Sequence, residues 1–155
     1  MLERRRIKRN RSGGFNLRLP PEERDILRTL PHQLRELLAT DDPSLRRLFP
    51  PAYIGDPEKE ADYRRLMADD LIEGRKAALD IVEATVDAEV LDEEQLTAWM
   101  GAINDLRLVL GTRLDVSEDM DIEAMDEDDP RLPAFALYGY LGWLQEQVVA
   151  ALAGW

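Results

Sequence analysis

Apolar residues recur at three- and four-residue spacing in four long segments, and this period constrains the fold more than any other feature. Ile26, Leu27, Leu30, Leu34, Leu37 and Leu38 carry the first stripe. Tyr63, Leu66, Met67, Leu71, Ala78, Ile81, Val82 and Thr85 carry the second. Leu96, Trp99, Met100, Ile103, Leu106, Leu110 and Leu114 make the third, and Leu137, Leu141, Leu144, Val148, Ala151 and Trp155 the fourth. Spacing of this kind places one apolar side on a helix. Helices are expected from about residue 20 through Leu38, and over about residues 56–86, 92–114 and 133–153.

The boundaries carry their own signals. Pro20-Pro21-Glu22-Glu23 opens the first helix, with proline in the first turn and acids at the positive end of the dipole. Pro31 interrupts that helix and is expected to kink or divide it near Leu30. Prolines 43, 50 and 51 leave room for one short helical turn between the first two helices. Asp92, with Gln95 three residues on, forms a capping box at the start of the third. Phe135, Tyr138, Tyr140 and Trp143 widen the apolar surface of the fourth almost all round, which marks a central helix. Gly139 and Gly142 suit close approach by a neighbour, and Gly74 a crossing or a kink.

Before the helices, residues 4–19 read as a short β-hairpin. Arg6-Ile7-Lys8 and Phe15-Asn16-Leu17-Arg18-Leu19 flank Ser12-Gly13-Gly14, and glycines supply the positive φ that tight turns need. Two strands alone are marginal in water, so the hairpin must pack on the helices or on another copy. The expected fold is therefore mainly α: a single-domain helical bundle, residues 20–155, with a basic hairpin, residues 1–19, packed on it. A chain of 155 residues suits one core without metal or disulfide.

Charge divides the chain in the same place. Residues 1–18 hold seven Lys or Arg and one Glu, a net of +6. The remainder nets −18 and repels nucleic acid. Arg4, Arg5, Arg6, Lys8, Arg9, Arg11 and Arg18 therefore form the candidate contact. They suit either nucleic-acid phosphate or an acidic protein surface, including this protein's own body.

Catalytic signals are few. There is no cysteine, which excludes disulfides, thiolate metal sites and thiol nucleophiles. The lone His32 reads as an exposed helix residue. No nucleophile triad, phosphate loop or dinucleotide fingerprint appears, so no enzyme and no cofactor are expected. Asp119, Asp121 and Glu123 alternate, but no glycine follows as a calcium loop requires, and the acidic run reads as solvated surface. Asn104 and Asp105 lie beside the third stripe and need partners. Arg107, Arg113 or the hairpin arginines are the candidates, in a structural polar network or a ligand site. The N-terminus lacks the apolar core of a signal peptide and no stretch reaches the ~20 apolar residues of a membrane span. A cytoplasmic protein is the expectation.

Three runs of sequence add a resemblance. They are Asp42-Pro43-Ser44-Leu45-Arg46-Arg47-Leu48-Phe49-Pro50, then the run from Trp99-Met100-Gly101-Ala102-Ile103-Asn104-Asp105-Leu106-Arg107 through Leu108-Val109-Leu110-Gly111-Thr112-Arg113-Leu114, then Tyr138-Gly139-Tyr140-Leu141-Gly142-Trp143-Leu144-Gln145-Glu146-Gln147. In these the chain resembles the actinobacterial AosR-type family of oxidative-stress transcriptional regulators, once known only as a domain of unknown function. The basic start fits as well. The resemblance implies a regulator of amino-acid metabolism and redox defence that acts with promoter DNA, RNA polymerase or sigma subunits, and it leaves a homo-oligomer open. A protein–protein adaptor without nucleic-acid contact is the alternative. Some members of that family are described as sensing oxidation through a cysteine pair, a switch this cysteine-free chain cannot operate. Oxidation at Met67, Met100, Met120 or Met125 is chemically possible, but these read as core or loop residues.

Overall fold

The computed structural model describes residues 5–49, 52–116 and 124–154. Arg4, the prolines at 50 and 51, the acids Asp119, Asp121 and Glu123, Met120 and Trp155 lie outside the described residues.

Strands β1 (Ile7–Arg9) and β2 (Phe15–Leu17) pair antiparallel, with Ile7 opposite Leu17 and Arg9 opposite Phe15. The side-chain oxygen of Asn10 accepts from the N–H groups of Ser12 and Gly14, closing the turn. Gly13 takes φ +87°, where an L side chain is strained. The expected hairpin is present, and the structure adds a third strand. β3 (Val90–Leu91) pairs antiparallel with β2, so β2 is the central strand. Ile7, Phe15, Leu17 and Leu91 are buried beneath this sheet, which solves the marginal stability of an isolated hairpin.

Helix α1 (Pro21–Leu38) runs unbroken through Pro31. The expected division does not occur: Pro31 is buried in the stripe Leu27, Pro31, Leu34 and Leu38, and packing of that face offsets the missing backbone hydrogen bond. A short 3-10 turn at Pro43–Leu45 is capped by Asp42. Helix α2 (Pro57–Thr85) is the longest, yet only Leu79 and Val82 in it are buried. Its apolar face is not continuous. Leu66 is 78% exposed; it sits about 140° round the helix from Leu79, so it cannot share the same buried side.

Helix α3 (Glu93–Leu114) starts with the capping box foreseen from the sequence. Asp92 accepts from the Gln95 N–H at 2.7 Å, and Gln95 accepts from the Asp92 N–H at 2.9 Å. Its buried residues include Leu96, Trp99, Ile103, Leu106 and Val109. Helix α4 (Leu132–Ala153) packs along it. The central helix is α3, which meets α1, α2, α4 and the 3-10 turn; α4 leaves one side to solvent, with Gly139, Glu146, Val149 and Ala153 exposed. The close approach also falls elsewhere than expected. A Cβ at Gly111 would meet the Tyr138 ring at 2.9 Å, whereas one at Gly74 or Gly139 would meet nothing within 4 Å.

Candidate interaction surfaces

Two sets of polar residues follow from the sequence, the basic segment and the α3 cluster, and the fold treats them differently. In the basic segment, Arg6 turns into the body. Its guanidinium forms a two-pronged pair with Glu23 at 2.9–3.2 Å and lies 5.0 Å over the Trp143 ring. Its backbone N–H donates to Gln147 on α4. The Tyr140 hydroxyl donates to the same Glu23 at 2.7 Å. Burial, and then that carboxylate, push the Tyr140 phenol well above its ordinary range, so it stays a donor at any physiological pH.

Arg9 also docks on the body. It lies over Phe15 and donates to the carbonyls of Ala151 and Leu152 in the last turn of α4, where the helix dipole favours a cation. Lys8, Arg11 and Arg18 are exposed, and their side chains make no hydrogen bond or ion pair with another described residue. Strand alternation explains part of this: Ile7 faces the core, so Lys8 and its cross-strand partner Asn16 face out. Arg5 is exposed as well.

The α3 cluster does not converge on one site. Asp105 is 4% exposed and points toward α2, where Arg75 donates to it at 2.5 Å. Arg75 also donates to the Leu48 carbonyl and lies over Phe49. Burial pushes the Asp105 carboxyl up, and the Arg75 hydrogen bond and charge pull it partly back. The partner of Asp105 is thus neither Arg107, nor Arg113, nor a described hairpin arginine: Arg107 faces Tyr138 of α4, Arg113 reaches Ser44, and Arg6 and Arg9 are held by Glu23 and the end of α4. Asn104 accepts from Gln145 of α4 at 3.2 Å. Arg113 reaches the 3-10 turn, donating to the Ser44 hydroxyl and lying 3.5 Å from Asp42. The Ser44 hydroxyl and N–H, more than Arg113, hold the Asp42 carboxyl below its ordinary range. Arg107 lies 5.9 Å from the Tyr138 ring, and its Nε is buried without an acceptor.

Two arginines that the sequence reading passed over carry much of the structure. Arg24 donates to the carbonyls of Leu17, Leu19, Val86 and Ala88, tying the sheet to the α2–α3 connection. No sequence signal marks it. Arg75 had one: it lies four residues from both Leu71 and Leu79, on the side of α2 that is buried further along. His32 is exposed and lies 3.2 Å from Glu36. Among the described residues there is no group of three or more side chains placed to hold a metal. A cleft of about 660 Å³ lies between the 3-10 turn and α2 and meets the cluster through its partners Arg75 and Asp42.

What remains is a helical bundle whose inner polar groups are mostly paired within the fold and whose chemistry lies in exposed charge. That defines a small α-helical protein with a three-stranded cap. The chain belongs to the family described as Domain of unknown function (DUF2017), whose model matches residues 4–152. It is 32% identical over 130 residues to the oxidative stress regulator AosR of Mycobacterium tuberculosis, and 30% identical over 129 residues to the putative oxidative stress regulator AosR of Mycobacterium leprae. Those alignments cover 73% and 72% of this chain and 59% of each relative, so the chain spans under two thirds of their length. No solved structure matches the chain. Among the described residues no helix is long and apolar enough to cross a membrane.

Proposed function

We propose that the protein is a cytoplasmic, non-catalytic regulator in the oxidative-stress response and amino-acid metabolism, acting by binding promoter DNA together with RNA polymerase or sigma subunits. The names of its relatives support the oxidative-stress role. The observation that carries the contact is the trio Lys8, Arg11 and Arg18, which the fold leaves outward on the basic segment, residues 1–19. Residues 20–155 are the body that presents it. Asn104, Asp105 and Arg113 serve that body as structural groups, not as a ligand site. With no cysteine, any response to oxidation reaches this protein by a route other than a thiol pair.

A salt titration of DNA binding tests the reading. Three phosphate contacts predict that log K falls with log salt at a slope of about −3. Replacing Lys8, Arg11 and Arg18 with Ala should flatten that slope toward zero. One observation favours a second reading, an adaptor without nucleic-acid contact: Arg6 and Arg9 are engaged by the protein's own body. Absence of DNA binding even at low salt would select it.

A further inference from the structure

Helix α4 holds 22 residues and only one of them, Glu146, is charged. A helix that is apolar all round belongs in an interior, yet one side of α4 faces solvent. That side carries Gly139, Gly142, Val149, Ala150 and Ala153, with Val149 42% exposed. It borders a cleft of about 590 Å³ between α3 and α4, lined by Arg107, Gly142, Gln145, Glu146, Val149 and Ala150.

Two opposite charges line this cleft, and they do not pair with each other. Arg107, from α3, has no hydrogen-bond or ion-pair partner among the described residues, and its Nε is buried without an acceptor. Glu146, from α4, is exposed and likewise unpaired among them. Arg75 Nε is buried without an acceptor too, and neither atom can be reached from outside; what the cleft offers a partner is the unpaired charge of Arg107 and of Glu146, each of which favours an opposite charge on whatever covers the face.

We infer that this face is the contact between two copies of the chain, in which Arg107 of each copy meets Glu146 of the other across the apolar side of α4. A two-fold contact brings the same patch together with itself, so a patch that holds one cation and one anion offset from each other is self-complementary. Both pairs form at once by symmetry. Gly142 keeps the surface low at this point: a Cβ there would already reach 3.7 Å from Arg107 Cδ. A nucleic acid would not suit the face, because its apolar area carries no excess of cations. The inference stands independently of whether the protein binds DNA.

Sedimentation of the full chain across the micromolar range, with three variants, tests it. The unmodified chain should dimerise. Glu146→Arg should set two arginines against each other and raise the concentration of half-dimerisation by about tenfold or more. Combining Arg107→Glu with Glu146→Arg should restore dimerisation. Because the chain has no cysteine, Val149→Cys gives a unique thiol. A short thiol-specific cross-linker should join two such chains, and should fail when Glu146→Arg is added. A thiol at Ile54, which is 88% exposed and off α4, should not cross-link. A chain that is monomeric at every concentration overturns the proposal, as does a dimer indifferent to Glu146→Arg or a cross-link that survives it. The Val149→Cys arm decides the matter even if Arg107→Glu fails to fold.

Discussion

Arg6 and Arg9 sit within five residues of Lys8 and Arg11, in the same basic segment, and the two pairs meet opposite fates. Arg6 is held by Glu23 and Trp143, and Arg9 by the last carbonyls of α4. Lys8, Arg11 and Arg18 are left to solvent. The difference teaches that a net charge measures two quantities at once. Part of it is internal, offset by the acidic body, and fastens the hairpin to the helices. Only the remainder is available to a partner. A contact surface read from charge alone is therefore too large: among the described residues, Arg6 and Arg9 are held by the body, while Lys8, Arg11 and Arg18 face outward without a side-chain partner.

Breaking the internal half should cost stability, with the deepest pairing costing most. Removing one partner of the Arg75–Asp105 pair leaves a charge with little water around it; Arg75→Ala should lower the unfolding free energy by about 3 kcal/mol in denaturant titration. Arg24→Ala, which frees four carbonyls, should cost about 2 kcal/mol and should speed amide exchange in β2 and β3 before the helices. Arg6→Ala should cost about 1 kcal/mol, since Tyr140 still donates to Glu23, and should leave the salt slope of any nucleic-acid binding unchanged.

A smaller effect separates the Arg75–Asp105 pair from an ordinary ion pair. Burial raises the Asp105 carboxyl above its unfolded value. Between those two values the folded chain binds more protons than the unfolded one, so this group's contribution to stability increases as pH falls through the window. Asp105→Asn removes the contribution. The stability of the unmodified chain relative to Asp105→Asn should therefore rise on acidification from neutral pH, as thermal melts of the two at matched pH will show. A carboxyl held down by its partner would give the reverse.

Much of the fold was legible. Four apolar stripes, the Gly13-Gly14 turn and the Asp92/Gln95 box give four helices and a hairpin in the right order, because each is a local signal. Several features were not. β3 is two residues long and exists only because β2 offers it an edge. Which helix sits at the centre depends on packing: the aromatic richness of α4 pointed there, but α3 takes the place. For the candidate surfaces, the sequence identified the basic segment yet had no means to sort its cations, since Glu23, Tyr140 and the end of α4 reach Arg6 and Arg9 only through the fold. Asp105 needs a partner on the sequence alone, but its arginine lies thirty residues away on α2.

The three outward cations give the most direct test. Alanine at Lys8, Arg11 and Arg18 should change stability by no more than about 0.5 kcal/mol, as for exposed residues without partners. Binding to promoter DNA, measured against salt for the unmodified chain, this triple variant and Arg6→Ala, should be lost in the triple variant alone. Equal binding by the triple variant, or a loss in Arg6→Ala with the fold intact, would contradict the division of the basic segment into an inner and an outer half.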